Sequence, residues 1–182
     1  MGLFRRYNLA TRQDDLDALM ASWERWAAEL LESHLSYPQL AYFRSQHDRQ
    51  SWIAALCAIL DANAVIIALS KEPLGRPPHL AFAMARHAAV DLGRIFGRRE
   101  LKDRRDRLPP ESMKHMRLAL GSAWPDGPAG DDAERMVNEL RASYESLVGR
   151  IAERLMMELP PWFPDPLLTD DWETGLIPAN GR

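Results

Sequence analysis

Residues 53–69 leave this chain little choice of architecture: apart from Asp61 and Asn63, every side chain in the run is apolar. A helix built from it is hydrophobic almost all round, so other elements must cover it on most sides. The run falls a little short of the roughly 20 residues needed to cross a bilayer. An acid near the middle of such a span costs about 2.5–3.5 kcal/mol on insertion scales. The segment therefore reads as the central, buried helix of a globular domain.

The flanking sequence supplies helices to cover it. Thr11-x-x-Asp14 matches a capping pattern, with Asp14, Asp15 and Asp17 near the positive end of the helix dipole. From there Leu16, Leu19, Met20, Trp23, Trp26, Ala27, Leu30 and Leu31 advance by threes and fours in one stripe. Pro38 ends this helix, because the residue before a proline is pushed out of helical dihedrals. A short helix over residues 39–44 follows, and Ser45-x-x-Asp48 offers a cap that opens the central helix at about residue 48. Prolines and a glycine mark residues 71–78 as a loop, ahead of a helix over residues 79–96.

Pro109-Pro110 opens a shorter helix with Met113, Met116 and Leu120 on one side, and residues 124–130 form a second loop. Asp131-x-x-Glu134 then caps one long amphipathic helix. Its stripe runs through Ala133, Met136, Val137, Leu140, Tyr144, Leu147, Val148, Ile151, Leu155 and Leu159, and Pro160-Pro161 stops it. No stretch alternates apolar and polar residues as a strand does. The prediction is an all-α, single-domain helical bundle of six or seven helices. Residues 1–11 form a flexible N-terminus, 12–159 the helical body, and 160–182 an extended proline-rich tail that packs through Trp162, Phe163 and Trp172.

Composition narrows the function. A net charge of −3 argues against a general nucleic-acid binder. The one cysteine, Cys57, rules out an intramolecular disulfide, suits a reducing cytoplasm and reads as a small buried hydrophobe. The start of the chain is basic at Arg5 and Arg6 but lacks the apolar stretch of a signal peptide. Phosphate-binding glycine loops, zinc-type Cys/His spacings and nucleophile elbows are absent, and no cofactor is implied.

One constellation has a catalytic reading. His34, the adjacent His47-Asp48 and Asp91 follow the order used by HD-type metal phosphohydrolases, in which imidazoles and carboxylates hold an ion that acidifies water. The alternative is a satisfied polar network. On that reading Asp48 caps a helix start, His34 sits partly cationic near a helix end, and His87 with Asp91 forms a buried pair between Leu80, Met84 and Ile95. The candidate network, or ligand or partner site, comprises Tyr37, Arg44, Gln46, His47, Asp48, Ser51, Arg86, His87 and Asp91. Residues 94–107 carry seven cations against three acids. Arg98, Arg99, Lys102, Arg104 and Arg105 would suit an anionic membrane surface or a solvated connection with local ion pairs. Trp23, Trp26 and Tyr144 read as core or as a subunit interface.

The run Glu32-Ser33-His34-Leu35-Ser36-Tyr37-Pro38 continues through Ala41-Tyr42-Phe43-Arg44-Ser45-Gln46-His47-Asp48 to Gln50-Ser51-Trp52. With Phe82-Ala83-Met84-Ala85-Arg86-His87, Leu108-Pro109-Pro110-Glu111, Pro160-Pro161-Trp162 and Asp171-Trp172-Glu173-Thr174, it resembles the cytoplasmic C-terminal region of bacterial ion-channel proteins of the two-transmembrane, potassium-channel type. The likeness spans about residues 14–174. It implies an all-helical cytoplasmic domain, at the inner face of the membrane when part of a longer protein, that assembles or regulates a channel. Its partners would be copies of itself and a pore module, and it brings no catalytic residues. A helical interaction module unrelated to channels is the other non-enzymatic reading.

Overall fold

A computed structural model describes residues 13–43, 51–70, 76–97, 106–123, 125 and 128–162. Among these, six α-helices and no strand occur: α1 Gln13–Ser36, α2 Trp52–Leu69, α3 Arg76–Phe96, α4 Pro110–Leu120, α5 Pro128–Ala142 and α6 Glu145–Leu155. Two short 3₁₀ turns, Pro38–Tyr42 and Gly121–Ala123, complete the set. The all-α bundle expected from the sequence is what forms. Thr11, Phe163 and Trp172 lie outside the described residues.

The central helix is α2. Eleven of its side chains are buried, including Asp61 and Asn63, and it packs against α3, α5 and α6, while α1 packs along α3. By length and composition α2 would pass for a membrane span, but 61% of it is buried inside the bundle. Leu16 and Met20 of α1 cluster with Ile66 and Ala81, while the Tyr42 ring meets Phe96 at 6.2 Å and His34 meets Trp52 at 4.7 Å. Helices α1 and α3 are therefore parallel, with α2 antiparallel between their ends.

Three boundaries depart from the sequence reading. The start of α2 is capped by Ser51, whose Oγ accepts the Ala54 N–H at 3.1 Å, and the helix begins at Trp52 instead of near Asp48. Helix α3 begins at Arg76, inside the expected loop. Pro77 and Pro78 stop a helix only from within; in a first turn their missing N–H groups would be unpaired anyway.

The long helix expected over residues 131–159 is two helices. It begins at Pro128 and breaks at Ser143 and Tyr144, where Ser143 N–H bonds Leu140 O at 3.1 Å and Tyr144 N–H bonds Arg141 O at 3.1 Å. Ser143 Oγ also donates to Leu140 O at 2.6 Å, so a side chain competes for a carbonyl of the ladder. The break turns Tyr144 wholly into the core, edge-on to Phe82 at 5.9 Å.

Helix α6 ends in a Schellman turn: Met157 N–H reaches Ala152 O at 2.9 Å, with Met156 left-handed at φ 53°. This reversal carries the chain back across the bundle to Trp162, which is buried. Packing is close at the end of α3, where a Cβ on Gly97 would sit 2.7 Å from Gly93 O and 3.3 Å from Arg150 Cβ.

Candidate functional site

The densest group of ionisable side chains is built around Arg107. The segment before α4 is shaped by an Asx-type turn, in which Leu108 N–H donates to Asp106 Oδ1 at 3.0 Å. Arg141 of α5 clamps that turn through Asp106 and Leu108 O. Held this way, Arg107 points inward, and its side chain is only 9% exposed.

All three guanidinium nitrogens are used. Nη1 and Nη2 bond the two Asp61 oxygens at 2.9 and 3.0 Å. Nε and Nη2 bond the two Glu145 oxygens at 2.7 and 2.9 Å. Nη1 also donates to Pro160 O at 2.7 Å, and the Trp162 ring lies 6.0 Å below the guanidinium carbon. The planar fork of arginine matches two carboxylates at once, which a lysine cannot do.

Asp61 accepts further bonds from Tyr144 Oη at 2.7 Å and from the Cys57 thiol at 3.9 Å. Glu145 Oε2 also faces Arg141 Nε at 3.6 Å. Each carboxylate oxygen in the cluster thus has at least one donor, as a buried polar group requires.

Burial sets the electrostatics. It pushes the Asp61 carboxyl above its ordinary range, against the pull of Arg107 and the Tyr144 hydroxyl. It raises the Cys57 thiol, reinforced by the Asp61 charge, and the Tyr144 phenol in the same way. Burial also opposes the charge on Arg107, but the Glu145 hydrogen bonds and the neighbouring Cys57 and Asp61 outweigh it and hold the guanidinium protonated. A thiol and a phenol with raised values are poor nucleophiles at neutral pH. The cluster's chemistry is cohesion: it joins α2, the segment before α4, the start of α6 and the segment after α6.

The residues singled out from the sequence do not converge here. Arg44, Gln46, His47 and Asp48 lie outside the described residues, as do Arg98, Arg99, Lys102, Arg104 and Arg105. Tyr37 is exposed, Ser51 is the cap of α2, and Arg86 is exposed on α3. His87 and Asp91 do pair, at 3.4 Å, but His87 is 60% exposed, and Asp91 also binds Arg94 at 2.8 Å. The buried pair expected there is a surface ion chain, because Leu80 and Ile95 beside it face outward.

His34 is buried, not partly cationic. Burial lowers its pKa from the ordinary 6.5; Nδ1 bonds Leu30 O at 3.0 Å, and Nε2 has no partner among the described residues. Among the described residues, no group of three or more His, Cys, Asp or Glu side chains is disposed to hold a metal.

The Arg107 cluster escaped the sequence reading, although half of its signal was visible. Asp61 stood out as an acid in an apolar run. Arg107 was counted with the basic stretch, and its place in the interior corrects that. An open, charged hollow lies between α4 and α5, and its Arg117 and Glu134 pair across it at 3.1 Å.

Fold and site together define an all-α bundle locked by a buried ion network. No protein-family model, curated protein or solved structure matches the chain.

Proposed function

We propose that this chain is a non-enzymatic assembly or regulatory domain that acts as a homo-oligomer on the cytoplasmic side of a bacterial channel protein of the two-transmembrane, potassium-channel type. The observation that carries the reading is the use made of Arg107: its five hydrogen bonds to Asp61, Glu145 and Pro160 are spent on joining parts of the chain. A domain that transmits position between subunits needs such a rigid frame, because packed cores respond to strain as units.

The channel connection rests on the likeness over residues 14–174. It is most specific at Tyr42-Phe43-Arg44-Ser45-Gln46-His47-Asp48, a string that composition alone gives no reason to recur. Pores of this class are built from several subunits around an axis, so a domain attached to them carries a matching self-contact. Light scattering on the purified chain across a concentration series tests this. The expected result is a multimer that persists into the low micromolar range; a strict monomer at high micromolar concentration refutes the assembly role.

A further inference from the structure

Local preference and fold disagree at the end of α6. The stripe Val148, Ile151, Ala152 and Leu155 is buried, and Leu159 continues it in the same helical phase. Met156, Met157, Glu158 and Leu159 are all among the stronger helix formers. Yet the helix stops at Leu155, and Met156 turns the chain back at φ 53° and ψ 44°. That left-handed position ordinarily falls to glycine, because a Cβ crowds the following carbonyl. Met156 gains no burial in exchange: it is 78% exposed.

What holds the reversal lies further along the chain. Pro160 O accepts from Arg107 Nη1 at 2.7 Å, and the buried Trp162 ring lies 6.0 Å from the guanidinium carbon. The backbone leading there is held loosely. Met157 N–H reaches Ala152 O, but among the described residues no backbone N–H of residues 158–162 donates to a backbone carbonyl. Pro160 and Pro161 have none to give. Trp162 Nε1 is buried with no partner among the described residues, so release into water would satisfy it. Release also leaves the clasp closed, since Arg107 keeps both its bonds to Asp61 and both to Glu145.

We infer that residues 156–162 form a two-state latch. In the closed state they fold back and pin Pro160 and Trp162 on Arg107. In the open state α6 runs on through Glu158, Met157 N–H bonds Glu153 O, Glu158 N–H bonds Arg154 O, and Trp162 is freed. The helix goes no further, because Leu159 precedes a proline. Each state relieves what the other leaves strained or unpaired, and a contact that prefers the freed indole shifts the balance between them. The latch does not depend on a channel connection, and its test is separate from light scattering, which reads assembly.

The test is the Cα chemical shift of Met157 and Glu158 in the isotopically labelled full chain. Non-helical shifts are expected for the wild type. Trp162→Ala withdraws the aromatic anchor and raises the ratio of open to closed chains about tenfold or more. Both shifts then move toward helical values while the α1 and α3 resonances stay in place. Adding Met156→Gly, which suits the left-handed position and disfavours the helix, reverses that movement. Met156→Gly alone keeps the closed shifts and raises the urea midpoint. Shifts that stay non-helical in Trp162→Ala show a segment that frays without a second state, and they overturn the inference. So does a Trp162→Ala chain whose whole bundle unfolds, a double variant still helical at Met157 and Glu158, or a lowered midpoint in Met156→Gly.

Discussion

Replacing Arg107→Met tests the central claim about cohesion. The side chain is 9% exposed and faces an Asp61 carboxylate that is 11% exposed and a Glu145 carboxylate that is 21% exposed. Methionine fills similar space but removes all five hydrogen bonds, leaving two acids facing each other with only Tyr144, Cys57 and Arg141 nearby. Breaking a buried ion pair from one side costs about 3–5 kcal/mol, chiefly from the charge left behind. For a chain of this length that corresponds to a fall in melting temperature of about 6–20 °C.

Urea unfolding followed by circular dichroism measures the loss. Pairing Arg107→Met with Asp61→Leu should recover about 0.5–3 kcal/mol relative to the sum of the single changes, since the more deeply buried of the two stranded carboxylates is then gone. A single-variant loss under about 1 kcal/mol, the range of exposed pairs, would refute the buried-network account.

Two further outcomes follow from other buried polar groups. His34 has a folded-state pKa below 6.5, so its contribution to stability is present above pH 6.5 and is lost as pH falls toward the folded value, by at most about 1.4 kcal/mol per pH unit. Urea midpoints measured between about pH 7 and 5 should show that slope, and His34→Leu should flatten it; an unchanged slope counts against the assignment. Asn63 is fully buried, with Nδ2 bonded to Ile59 O at 2.8 Å but Oδ1 without a partner among the described residues. Asn63→Leu should therefore raise stability by about 1 kcal/mol, and a comparable loss in the same urea assay would show that the amide has a structural role.

Legibility in the sequence tracked how local each signal was. Helix α2 and the end of α3 were readable because apolar runs and turn residues act over a few positions, and Pro110 announced α4 directly. The break at Ser143 was not readable, since Leu140, Tyr144, Leu147, Val148 and Ile151 keep helical phase across it. Periodicity detects which face is apolar, not whether the ladder beneath is continuous. Leu80 and Ile95 show the same limit: they are apolar, yet they face outward on α3.

The site was half legible. An acid at position 61 demands a counter-charge, but nothing nearby in sequence supplies one. The cation that does so, Arg107, was hidden among other arginines that share its composition but not its place. His87 and Asp91 were correctly paired by their spacing of four, while their burial depended on which way α3 turned, and that is decided by packing.

The separations bridged by Arg107 bear on the order in which the chain can be completed. It reaches Asp61 across 46 residues, Glu145 across 38 and Pro160 across 53, and Tyr144 reaches Asp61 across 83. Synthesis proceeds from the N-terminus at about 5–20 residues per second. During translation, α2 therefore leaves the ribosome seconds before any group that can neutralise its acid. Until residue 107 arrives, Asp61 is cheapest as a protonated or hydrated side chain, which delays firm burial of the most apolar helix. The clasp is therefore a late contact: it closes around α2 only after its arginine, and then Glu145 and Pro160, have been made.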